Sequence, residues 1–189
     1  MPAMLLSGRT LHVSGDDGTL ADALVAHGAE LVGSEGPVDV VVHVVTGDLD
    51  EVLLADLTAE EWDRRCDLPI RDAIDAAHAA HARMAGTGGN IVFVTPSLGL
   101  TGAAGLVPLA TAAEGVRSLS KTAARQWGPD GIRVSCVARR VAGPVVAIPT
   151  FGDPTVDEVA GAVALLASTA SSGVTGATLV VDGGTVLVP

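Results

Sequence analysis

Residues Gly88 to Arg133 read GGNIVFVTPSLGLTGAAGLVPLATAAEGVRSLSKTAARQWGPDGIR. The apolar run Ile91 to Val94, bounded by Gly-Gly-Asn, predicts a buried parallel strand, because unbroken hydrophobicity marks a strand covered on both faces. A loop of small residues follows. Pro108 stands where a first helical turn tolerates a missing N–H, and Pro108–Trp127 predicts an Ala-rich helix. Gly128-Pro129-Asp130-Gly131 ends that helix, and Ile132 to Val137 predicts the next strand. A strand, a long helix and a second buried strand in this order point to an α/β fold with a parallel sheet.

The bulk properties narrow the function. The chain has 189 residues, 48% hydrophobic and 17% charged, enough for one globular domain spanning 1–189. Net charge is −11, and Lys121 is the only lysine, so an acidic surface without a basic stripe excludes nucleic acid and anionic membrane as partners. Aromatic residues are 2%, which leaves no stacking platform for single strands. No apolar run reaches membrane-spanning length, and no basic region followed by an apolar block opens the chain, so a cytoplasmic location is expected. Cys66 and Cys136 read as separate buried thiols.

The remaining elements follow in order. Thr10 to Ser14 predicts a strand, Gly15-Asp16-Asp17-Gly18 a turn, and Thr19 to Ala26 a helix. Val38 to Val45 predicts a buried strand. If Ala29 to Val32 paired on the far side of the first strand, the chain would have to return roughly 18 Å or more, and Ser34 to Pro37 extended reach only about 15–18 Å. Ala29–Pro37 is therefore predicted to be connector, with the first strand at or near the sheet edge. Thr58-Ala59-Glu60-Glu61 is a capping box that opens a helix to Met84, with a kink expected at Pro69. Thr155-Val156-Asp157-Glu158 is a second, opening a helix to Ser168, and Ala177 to Val181 predicts the last strand. His78 and His81 lie three apart on a helix with no third ligand in view, so no metal site is expected.

The stretches GGNIV, EGVRSLSKTAARQWG and GIRV, with Glu60-x-Trp62-Asp63 and the closing Val181-Asp182-Gly183-Gly184, resemble the short-chain dehydrogenase/reductase family. The resemblance runs through most of the chain from Ser7. It implies a Rossmann-like, doubly wound parallel sheet, here shortened to about five or six strands by loss of the second and third strands that build the adenosine side. It also implies that the catalytic Asn, Ser, Tyr and Lys fall on Pro69, Pro96, Leu109 and Ala113, so the tetrad is absent. The phosphate-binding glycines reduce to Gly15 and Gly18, with Leu20 or Ala21 at the last position. Asp16 and Asp17 put two carboxylates where a pyrophosphate would lie, and like charges repel. The chain itself is expected to bind no dinucleotide and to be no enzyme in isolation.

Three functions remain open at this level, and ordinary NAD(P)-dependent reduction ranks last of them because no phenol or ammonium stands ready to deliver a proton. In the family, the helices matching Thr58–Met84 and Pro108–Trp127 pack against another subunit, and the last strand makes a second interface. That implies a non-catalytic subunit of a homo- or hetero-oligomeric oxidoreductase complex, whose competent partner of the same family would bind NAD(P). The alternative is a cofactor-independent cyclase, isomerase or dehydratase of bacterial secondary or acyl-thioester metabolism acting on a small-molecule substrate. Its candidate groups are His43 as general base, Thr46, Thr95, Ser97, Arg139 and Arg140 at the carboxyl edge of the sheet. The two arginines also suit a carboxylate or phosphate, or pairing with surface carboxylates.

Overall fold

A computed structural model describes residues 4–141 and 151–187. Six parallel strands form one sheet in the order β2-β1-β3-β4-β5-β6. They are β1 (Thr10–Ser14), β2 (Glu30–Leu31), β3 (Val40–Val44), β4 (Gly89–Pro96), β5 (Ile132–Arg139) and β6 (Thr178–Val181). The helices are α1 (Thr19–Val25), α2 (Ala59–Trp62), α3 (Leu68–Met84), α4 (Val107–Trp127) and α5 (Val156–Ala167).

The strands alternate their side chains between two cores. Val40, Val42 and Val44 of β3 face α1 and α5, packing with Leu20, Leu24, Val159 and Val163. Val41 and Val45 face α3 and α4, with Phe93, Cys136, Ala73, Ala77, Val116 and Ala124. Because β3 and β4 are covered on both faces, they read as continuous apolar runs. Phe93 is fully buried, and truncating it to Ala is expected to cost about 3–5 kcal/mol in lost transfer and cavity energy. Small residues on α3 and α4 let both helices sit close to the sheet.

Both capping boxes form as predicted. Thr58 accepts from the Glu61 amide and Thr155 from the Glu158 amide, while each glutamate bonds back to the cap amide. Pro108 lies in the first turn of α4.

The connector expected over Ala29–Pro37 needs correction. Glu30–Leu31 forms β2 and pairs parallel with Thr10 and Leu11 on the far side of β1, so β1 is not the sheet edge. The rejected path assumed a full-length strand ending at the carboxyl edge. β2 instead stops level with Leu11, and Leu11 is also opposite Val40 at the start of β3. The chain therefore only crosses beneath β1, about two strand spacings or roughly 10 Å, with no climb back along it. Arg83 near the end of α3 holds the crossing in place. Its guanidinium donates to the carbonyls of Gly36 at 2.7 Å, Gly33 at 3.0 Å and Glu35 at 3.4 Å.

The kink expected at Pro69 takes a different form. Between α2 and α3, Asp63–Asp67 is a π-helical turn, and Pro69 falls in the first turn of α3. The Leu68 amide donates five residues back, to the Asp63 carbonyl. Widening the helix one turn early absorbs the hydrogen bond that proline cannot make. The Trp62 indole N–H spans the turn to Asp67 Oδ1 at 3.0 Å.

Candidate functional site

The chain leaves β1 for β2 on one side and β3 on the other, so the crevice beyond the carboxyl ends of β1 and β3 is a topological switch point. Open α/β sheets bind their ligands at such crevices. Gly15, Asp16, Asp17, Thr19, Val44, Thr46, Arg139 and Arg140 line a cavity of about 280 Å³ there. Gly15 has φ +74°, and a Cβ on it would collide with the Val44 carbonyl, so the turn out of β1 demands glycine.

The two aspartates of this turn occupy the amides that a phosphate would need. Asp16 Oδ2 accepts from the Gly18 amide at 3.1 Å and from the Ala21 amide at 3.0 Å. Asp17 Oδ1 accepts from the Thr19 hydroxyl at 2.7 Å and its amide at 3.0 Å. The Thr19 hydroxyl, then its amide, hold the Asp17 carboxyl below the usual carboxylate range, with a smaller contribution from the Arg139 charge. The Gly18, Thr19 and Ala21 amides, which a phosphate would use at a helix start, are thus taken by these carboxylates.

Of the four positions that the resemblance aligns with the family tetrad, Pro96 and Leu109 lie together on an apolar wall. Pro96 ends β4, and Leu109 and Ala113 are buried on α4. Leu109 packs against Gly47, where an added Cβ would lie 2.7 Å from its Cδ1. Val45, Thr46, Gly47, Leu49, Pro96, Leu109, Arg139, Arg140 and Val141 enclose a second cavity of about 300 Å³ adjoining the first.

The candidate groups read from sequence do not all meet. Thr46, Arg139 and Arg140 lie together, shared by both cavities. Arg140 pairs with Asp153 through Nη1, while its Nε is buried without an acceptor. Thr95 Oγ1 contacts Cys136 Sγ at 3.3 Å inside the core, and burial pushes the Cys136 thiol up to about 11. Ser97 is buried too, with no hydrogen-bond partner for its hydroxyl.

His43 points to the α3 face. The residues at 41, 43 and 45 share one side of β3, and the imidazole meets Phe93 edge-on with ring centres 6.2 Å apart. Its Nδ1 lies 2.9 Å from Ser14 Oγ, and it lines a separate groove with His12, Asp72 and Asp75. Burial pushes its pKa down, partly opposed by the Asp72 charge. Ser14, Asp72 and Asp153 escaped the sequence reading, because only the strand register and the loop path bring them to their partners. His81 Nε2 meets Asp130 Oδ2 at 3.2 Å and its ring lies against Trp127, and no group of three metal-ligating side chains occurs among the described residues.

Comparison with known proteins places this geometry in context. A family model described as enoyl-(acyl carrier protein) reductase matches residues 16–147 and 145–186. The trans-4-hydroxycyclohexanecarboxylate dehydrogenase of Sinomonas cyclohexanicum is 32% identical over 158 residues, covering 79% of this chain and 61% of that protein. The (3R)-3-hydroxyacyl-CoA dehydrogenase of Mus musculus is 33% identical over 166 residues, covering 78% and 63%. The short-chain reductase protein NovJ of Streptomyces niveus is 28% identical over 193 residues, covering 90% and 72%. The chain thus spans less than two thirds of the length of the first two.

Proposed function

The chain belongs to the short-chain dehydrogenase/reductase family, and from that premise we propose that it is a non-catalytic subunit that assembles with a catalytically competent member of the same family. The observation that carries this reading is the Asp16 carboxylate bound to the Gly18 and Ala21 amides, at the point where the fold would receive a dinucleotide. Pro96, Leu109 and Ala113 supply no hydroxyl or amine to move a proton. NAD(P) would be held by the partner.

The assembly face is supported separately. Ile70, Ala103, Val107, Ala110, Thr111 and Gly115 line a shallow, mainly apolar groove of about 600 Å³ across α3 and α4. Gly115 and Ala110 keep the face low, so a second helix pair could approach closely. Cofactor-independent catalysis by His43 acting with Arg139 and Arg140 has less support, because these groups line separate cavities.

The test is native mass spectrometry of tagged protein purified from its own host. A stoichiometric complex with a family member bearing Tyr-x-x-x-Lys is expected. A homo-oligomer carrying no such protein would overturn the subunit assignment.

A further inference from the structure

We propose that the cavity beside Thr46 and Arg139 binds a small organic carboxylate, its carboxylate on the Arg139 guanidinium and the Thr46 hydroxyl and its apolar body against Leu49 and Leu109. The proposal goes beyond the subunit role and does not depend on it.

Charge accounting singles out Arg139. The chain has 22 acidic and 11 basic residues, so a cation without a carboxylate needs a reason. Arg9, Arg64, Arg65, Arg117 and Arg140 each pair with an aspartate or glutamate. Arg83 is spent on backbone carbonyls, as is Arg133, which donates to Leu166, Ser168, Ser171 and Val174. Among the described residues, Arg71, Lys121, Arg125 and Arg139 remain without a hydrogen-bond or ion-pair partner. The first three are exposed on helices, where water serves them. Arg139 is half-buried at the end of β5 and lines both cavities.

The two cavities share Arg139 and Arg140 but differ in their carboxylates. The one at the β1 turn contains Asp16 and Asp17, which repel an anion. The adjoining one has the same two guanidinium groups and no carboxylate among its described lining residues; Arg140 is held by Asp153, which leaves Arg139, and its other walls include Val45, Leu49, Pro96, Leu109 and Val141. Asp17 feels the Arg139 charge, yet its oxygen is committed to Thr19 and no ion pair forms between them. A planar guanidinium beside a free hydroxyl suits a carboxylate, and a partly desolvated site strengthens the pairing. About 300 Å³ is at the small end for ligand pockets, which selects a compact body such as a single ring or a short acyl chain.

Isothermal titration calorimetry of the full chain with benzoate, benzamide and inorganic phosphate tests this. Benzoate is expected to bind saturably, with benzamide and phosphate at least about tenfold weaker, because one lacks the charge and the other the apolar body. Arg139→Gln is expected to weaken benzoate roughly ten- to a hundredfold, and Thr46→Val several-fold. Arg139→Lys keeps the charge and serves as the check if the glutamine variant folds poorly, with partial loss expected. Equal binding of benzoate and benzamide, phosphate as tight as benzoate, or unchanged affinity in a folded Arg139→Gln protein would each overturn it. Native mass spectrometry reads the subunit proposal independently, so the two can fail separately.

Discussion

Asp16 Oδ2 lies 3.0 Å from the backbone nitrogen of Ala21 and accepts a hydrogen bond from its N–H, so a side chain two residues past β1 closes the first turn of α1 from outside. The same oxygen takes the Gly18 amide, satisfying donors that a helix start leaves open. Asp16→Ala should therefore destabilise the fold by about 1 kcal/mol, as loss of a helix N-terminal cap does. Urea unfolding followed by circular dichroism measures it. The same variant should still give no saturable heat with NADPH, because Asp17 and the two-residue β2 remain. Tight NADPH binding by the unaltered protein would sink the pseudoenzyme reading.

Gly15 joins β1 to that turn with φ +74°, and the Val44 carbonyl fills the space a side chain would need. Gly15→Ala adds both left-handed strain and a backbone clash. The expected cost is about 2–4 kcal/mol, read as a lower urea midpoint at unchanged slope. Gly18, also at positive φ but with open space around it, should lose less when changed to Ala.

Burial of His43 gives stability a pH dependence whose sign follows from its lowered pKa. Burial lowers its folded pKa below the ordinary 6.5, so the folded state prefers the neutral ring. Its contribution is present above pH 6.5 and is lost as pH falls, because the unfolded chain takes the proton first. Asp17, Glu61 and Glu158 are held low by Thr19, Thr58 and Thr155, and their contributions fade only below about 4.5. Urea midpoints across pH 7 to 3 should thus fall in two stages. His43→Gln should flatten the stage that begins near 6.5 and leave the acid stage intact. An unchanged slope between pH 6.5 and 5 in that variant would contradict the assignment.

How far the sequence could be read depended on the range of the cause. Thr155 and Glu158 are three residues apart, and their mutual capping is a local matter, so that helix start was legible to the residue. The β4–α4–β5 unit was legible because apolar runs and Gly-Pro punctuation are also local. β2 was not, since two paired residues leave no periodic pattern and their pairing depends on where β3 begins. Pro69 announced a disturbance, but whether a kink or a π turn absorbs it rests on Trp62, Asp67 and the sheet beneath. His43 sat in the correct strand, yet its separation from Arg139 follows from which side of β3 it occupies. That choice is set by register against Ser14 and Phe93, which no spacing along the chain reveals.

The apolar groove across α3 and α4 supplies the last prediction. Thr111 is exposed at its rim, on the same side of α4 as Val107 and Gly115, and its hydroxyl donates only to the Val107 carbonyl at 2.8 Å within its own helix. Replacing it by arginine removes no tertiary contact, so the monomer should keep its stability to within about 0.5 kcal/mol. A helix pair approaching that face would meet a long charged side chain between Val107 and Gly115; Glu114 on the same groove is already held by Arg117, and burying the added charge without a partner costs several kcal/mol. Thr111→Arg should therefore shift the protein to monomer in size-exclusion chromatography with light scattering. In the host it should release the family partner while leaving the circular dichroism spectrum and melting temperature unchanged. Retention of the complex by Thr111→Arg would move the interface away from α3 and α4 and leave β6 as the edge to probe.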